Sequence, residues 1–277
     1  MKVPQSKIAA KLIALDLDDT LLDENTRISD KNTEVLQQAA QRGIYVVICS
    51  GRAEEAILPY VRRLNIAGSQ AGRYIIAING CSVFDLHTRQ QIYKCNVSGD
   101  ILKAANAEAE EMGLKTEVYS PGTIYYQEET EWTRKDVDLC KLRGFVVSEY
   151  EEFLNKGFPK MLIPGEPEKL QVLQAKLKKM FGSKAVVFTS KPYFLEVLPP
   201  NCGKGEAITW LAKHIGIPQA STMGFGDSMN DESMLRLCGT GVCMCNGLDA
   251  MKEVADFVTE KDNCSSGVGH FIEKYVL

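Results

Sequence analysis

Lys11-Leu12-Ile13-Ala14-Leu15 runs directly into Asp16-Leu17-Asp18-Asp19-Thr20, and the fold turns on this stretch. A short continuous apolar run reads as a strand buried on both faces, the kind that parallel sheets contain. Working outward, the spacing predicts a helix over 29–42, opened by Ser29 and stopped by Gly43, then a strand over 44–49. A helix over 54–64 and a third strand over 74–78 follow. From Gly205 the same rhythm returns: helix 206–215, strand 222–225, helix 231–237, strand 241–243, helix 250–255, strand 256–258 and helix 267–275. Strands alternating with helices indicate an α/β fold, a parallel sheet with helices on both faces.

The middle of the chain reads differently. Helix 98–112 precedes strands 115–119 and 123–127, and helix 166–181 precedes strands 184–189 and 193–198. A helix over 131–142 and strands near 145–148 and 160–163 lie between them. This is the pattern of an α+β insert made of two αββ units. The expected organisation is a core of residues 1–85 and 195–277 interrupted by an insert of residues 86–194.

Composition narrows the function. The 277 residues carry 32 Lys and Arg against 36 Asp and Glu, a net charge of −4. The absence of a basic bias argues against nucleic acid as a partner. No run approaches the roughly 20 apolar residues that would cross a membrane, and no secretory signal is apparent at the N-terminus. Nine cysteines, an odd number scattered through apolar segments, fit reduced thiols and a cytoplasmic location.

Ligands in open α/β sheets bind beyond the carboxyl ends of the strands. Asp16 and Asp18 stand there, and a strand period of two would place them on one side with Leu17 opposite. A second acidic cluster, Asp227-Ser228-Met229-Asn230-Asp231, follows strand 222–225. Asp227 and Asp231 are four apart and would project together from a helix beginning near Ser228. Each cluster alone reads equally well as helix capping. Two at neighbouring strand ends make an all-oxygen set with no Cys or His nearby, which selects a hard cation, with Mg²⁺ the first choice. Ser50-Gly51-Arg52 after strand 44–49 offers a hydroxyl, backbone N–H groups and a guanidinium for phosphoryl oxygens. Lys204 sits in a glycine-flanked loop that lacks the pattern of a P-loop.

In order, Asp16-x-Asp18-x-Thr20, Ser50, Lys204 and Gly226-Asp227-x-x-Asn230-Asp231 resemble the four motifs of the haloacid dehalogenase superfamily. Asn79-Gly80, the 241–247 stretch with Asn246, and the ending with Asn263 and Gly267 agree with it. The insert resembles the αββ cap of subclass IIB, the Cof-type sugar-phosphate phosphatases. The resemblance implies a Rossmann-like core and a Mg²⁺-dependent phosphatase acting on small phosphorylated metabolites through an aspartyl-phosphate. By position, Asp16 is the nucleophile, Asp18 the acid/base, and Ser50 and Lys204 bind the phosphoryl group. Asp16, Asp18, Asp227 and Asp231 are the metal residues, and Gly51, Arg52, Asn79 and Asn230 contact phosphate or substrate. A phosphomutase of the same family is the alternative, and a non-catalytic phospho-accepting switch a more distant one. Substrate reading is expected from cap loops at 119–125 and 190–193.

Overall fold

A computed structural model describes residues 2–277. The chain forms two compact units, one built from the residues up to Gly51 with Ile57–Tyr93 and Gly203–Leu277, the other from Arg52–Ala56 and Lys94–Cys202.

The first unit opens with β1 (Leu12–Leu15), α1 (Asp30–Gln41), β2 (Tyr45–Cys49), α2 (Glu54–Leu64), β3 (Tyr74–Ala77), β4 (Ser82–Asp85) and β5 (Gln90–Lys94). The second unit follows with α3 (Gly99–Glu111), β6 (Glu117–Ser120), β7 (Thr123–Tyr126), α4 (Glu131–Cys140), β8 (Arg143–Val146), α5 (Tyr150–Leu154), β9 (Met161–Pro164), α6 (Pro167–Phe181), β10 (Val186–Lys191) and β11 (Phe194–Leu198). The chain then returns through α7 (Lys204–His214), β12 (Thr222–Gly226), α8 (Glu232–Leu237), β13 (Thr240–Cys243), α9 (Asp249–Val254), β14 (Phe257–Val258) and α10 (Gly267–Tyr275).

In the first unit the sheet order is β14-β13-β12-β1-β2-β3-β4-β5. The strands from β14 to β3 are parallel, and β4 turns back antiparallel on β3. β1 therefore lies between β2 and β12, where the winding reverses, which is where such sheets bind ligands. Leu12, Ala14, Val47 and Ile76 pack on one face against Ala207, Ile208 and Leu211 of α7 and Met234 of α8. On the other face Phe225 meets Phe271 of α10 edge to face, centroids 5.5 Å apart. Burial on both faces is why β1 reads as an unbroken apolar run.

The second unit has the sheet order β10-β11-β9-β6-β7-β8. Val118, Met161, Ile163, Leu195 and Val197 join Leu102 and Ala105 of α3 and Leu170, Leu173 and Leu177 of α6 in its core. Helix–strand–strand occurs twice, as α3-β6-β7 and α6-β10-β11.

Strand pairing moves the boundaries expected at 86 and 194 eight residues onward. The hairpin partner β5, unforeseen with β4, extends the larger sheet, whereas β11 lies inside the smaller one between β10 and β9. The short helix α5 was also not expected. Its five residues are too few to show a periodicity.

Candidate active site

Asp16 follows β1 directly, its N–H donating to Phe225 O at 3.0 Å. The chain then makes a tight turn over Leu17–Leu21, closed by Leu22 N–H to Leu17 O at 2.9 Å, with Asp18 extended and Asp19 left-handed at φ 58°. The strand ends at Leu15, so Asp18 sits in a turn and not on a continuing strand. Leu17 is buried inside it and Asp18 is exposed. Three asparagines pin this turn: Asn246 donates to Asp19 O (2.7 Å), Asn263 to Leu22 O (2.8 Å) and Asn32 to Leu21 O (3.4 Å).

At the neighbouring strand end, Asp231 reaches back instead of projecting from a helix. Its Oδ2 accepts the N–H groups of Asp227 (2.9 Å) and Ser228 (3.0 Å), and its Oδ1 accepts Lys204 Nζ at 2.6 Å. Lys204 also donates to Asp16 Oδ1 at 2.5 Å and is fully buried. Asp227 accepts from Thr20 Oγ1 at 2.8 Å. Carboxylate oxygens of Asp16, Asp227 and Asp231 all lie within 4.8 Å of one another.

Three buried carboxylates thus face one ammonium, and the titration shifts follow. Burial pushes Asp16 well above its ordinary range, with Lys204 opposing. Burial and then the Asp231 charge push Asp227 up to about 7. Burial alone would lower Lys204, but Asp16 and Asp231 outweigh it and hold the ammonium above its usual range. This donor set is oxygen-only, anionic in excess and convergent, and it fits a divalent hard cation. Asp16 and Asp227 each accept one side-chain donor, whereas Asp231 accepts one side-chain donor and two backbone N–H groups.

Ser50, Asn79 and Asn230 are joined by a chain of hydrogen bonds. Ser50, buried at the end of β2, donates its N–H to Ile76 O and accepts the Asn79 N–H, each at 3.0 Å. Asn79 Oδ1 accepts from Asn230 Nδ2 at 3.1 Å. A Cβ on Gly51 would stand 2.9 Å from Asn79 Oδ1, so glycine keeps this corner open. Arg52 is half-buried in the bend before α2.

Sequence reasoning quoted Gly80, Gly226 and Thr20 without giving them work. A Cβ on Gly226 would fall 2.4 Å from Asp231 Cβ, and one on Gly80, at φ +95°, would fall 2.1 Å from Gly203 O. Gly80 thereby lets the turn after β3 seat the backbone that carries Lys204. Gly80→Ala combines a left-handed backbone with a clash against backbone and is expected to cost about 2 kcal/mol or more. Urea unfolding checks it: an unchanged midpoint would contradict the packing described.

The model of the haloacid dehalogenase-like hydrolase family matches residues 13–272. The chain belongs to this family. The HMP-PP phosphatase of Serratia proteamaculans is 30% identical over 275 residues, covering 96% of this chain and 95% of that one. The 5-amino-6-(5-phospho-D-ribitylamino)uracil phosphatase YwtE of Bacillus subtilis is 30% identical over 287 residues, covering 95% and 97%. Among solved structures, the subclass IIB sugar phosphatase BT4131 superposes with a TM-score of 0.81 at 25% identity, covering 96% and 99%. The chain is accordingly an enzyme, a phosphatase-type hydrolase. No helix among the described residues is long and apolar enough to cross a membrane.

Proposed function

We propose that this enzyme is a Mg²⁺-dependent phosphatase that hydrolyses small phosphate monoesters through a phosphoryl group carried on Asp16. The observation that carries this reading is the buried Lys204 ammonium bridging Asp16 and Asp231, with Asp227 completing the carboxylate cluster. Asp16 attacks phosphorus, the ester P–O bond breaks, and Asp18 gives its proton to the departing alkoxide. Asp18 then takes a proton from the water that attacks the aspartyl-phosphate, releasing inorganic phosphate and restoring Asp16. The exposure of Asp18 suits a group that must reach both leaving group and water.

Lys204, the Ser50 hydroxyl and the N–H groups near Gly51 bind phosphoryl oxygens, with Asn79 and Asn230 bracing that corner and Arg52 beside it. Asp16, Asp227 and the Asp18 carbonyl hold the cation, and Asp231 contributes by fixing Lys204 and the Asp227 loop. When bound, Mg²⁺ supplies positive charge to the phosphoryl oxygens and orients them.

The two relatives named above are equally similar to this chain and carry different substrates in their names, so overall identity does not choose the ester. We assign that choice to the inserted unit acting as a cap, with sugar phosphates and related metabolites as the substrate class. The odd number of cysteines, scattered through apolar segments, supports a reducing, cytoplasmic setting.

The test is phosphate release from an aryl phosphate with Mg²⁺ or with a chelator, together with thermal unfolding in both. Chelation is expected to abolish turnover, and Mg²⁺ to raise the unfolding temperature, because it binds the folded carboxylates and not the unfolded ones. Equal turnover with and without chelator would overturn the proposed metal dependence.

A further inference from the structure

The inserted unit buries a second set of charges, remote in sequence from the phosphatase motifs. Glu117 and Glu196 both pair with Leu162 across β6, β9 and β11, so they share one face of the six-stranded sheet. Tyr119 lies on that face by alternation, and its N–H donates to Lys160 O at 3.2 Å. Asp136 comes from α4. All five side-chain-bearing residues are at least 95% buried. Three carboxylates therefore share a dry layer with one ammonium, an excess of negative charge that the interior does not sustain.

We propose that Glu117 and Asp136 share a single proton, a carboxyl–carboxylate latch that fastens α4 to the six-stranded sheet and loosens as pH rises. The partners identify who holds the proton. Lys160 is 3.5 Å from Glu196 and balances it. Asp136 already accepts from the Tyr119 hydroxyl and, at 3.5 Å, from Cys140 Sγ. Glu117 has no donor on either oxygen, although it is fully buried. The Tyr119 hydroxyl, two residues along the same face of β6, holds the Asp136 carboxylate on the side where Glu117 is buried, and two neighbouring buried carboxyl groups require one proton between them. Glu117 is thus the acid and donates to Asp136.

A metal ion is the poorer solution here. Among the described residues only Asp16, Asp227 and Asp231 converge as a cation cage.

The surrounding groups leave the pair as the titrating centre. Tyr119 on β6, Tyr126 on β7 and Tyr150 on α5 are all held above their ordinary range by burial, and Cys140 on α4 is pushed up to about 12. Lys160 is held above its usual range by Glu196 and Asp136 despite its burial. Glu117 itself is raised, first by burial and then by Asp136. A carboxyl raised in the folded state binds its proton there but not in the unfolded chain. Its stabilisation is therefore lost as pH climbs from the ordinary carboxylate range through the folded value.

The experiment compares the full-length protein with Glu117→Gln, whose amide donates to Asp136 permanently. Infrared difference spectra near neutral pH are expected to show a protonated carboxylic-acid carbonyl band in the wild type that Glu117→Gln lacks. Amide exchange over α4, corrected for intrinsic rate, should lose at least about tenfold protection in the wild type as pH climbs from the ordinary carboxylate range through the folded value, with Glu117→Gln staying level. Asp136→Asn, which removes the like charge by a different route, should also flatten the profile and stands in if Glu117→Gln folds poorly. Parallel profiles in wild type and both variants, or no band difference, would overturn the latch.

Discussion

Asp16→Asn is expected to reduce phosphate release by at least about 10³-fold while leaving the protein folded. The amide cannot attack phosphorus, yet it matches the carboxylate in size and still offers an oxygen to Lys204, 2.5 Å away in the wild type. Removing one of three crowded carboxylates also relieves repulsion around Asp227, so the unfolding temperature without metal should hold or rise. Steady-state phosphate release and thermal unfolding on the same preparation separate the two effects. Turnover that persists in Asp16→Asn would sink the nucleophile assignment, whatever happened to stability.

Lys204→Met is expected to damage both properties. Methionine matches the length of the stem but leaves Asp16, Asp227 and Asp231 buried with no ammonium between them. Breaking a buried ion pair from one side costs about 3–5 kcal/mol, and losing a charged contact to the phosphoryl group costs a further factor of about 10² or more in rate. Mg²⁺ should restore more stability to Lys204→Met than it adds to the wild type, since the cation would then be the only neutralising charge. Thermal unfolding across a Mg²⁺ titration checks this. A variant as stable as the wild type in chelator would mean that Lys204 does not balance the cluster.

What was legible in the sequence was what burial makes periodic. β1, β2 and β12 are covered on both faces, so they read as apolar runs, and the acids behind them stood out by contrast. The turn after β1 was not legible, because Leu17-Asp18-Asp19-Thr20-Leu21 has no composition that distinguishes a tight turn from a continuing strand. The same limit hid the insert's buried charges. Glu117, Asp136, Lys160 and Glu196 look like solvent-facing positions, and only the packing of α4 over the sheet turns them inward. Gly80 and Gly226 were visible as letters, but their need for glycine lies in backbone and side chains far away in the chain.

The position of β1 between β2 and β12 also bears on how the protein is made. Thr20 and Asp227, which meet across that seam, are separated by 207 residues. At roughly 5–20 residues per second, a ribosome needs about 10–40 s to span that gap. Throughout that interval the nascent chain carries a fully apolar strand with one hydrogen-bonding edge still vacant, and the entire inserted unit emerges first. The carboxylate cluster of Asp16, Asp227 and Asp231 is therefore among the last things synthesis completes, and a chain cut short before β12 would hold a sticky strand edge and lack two of its three acids.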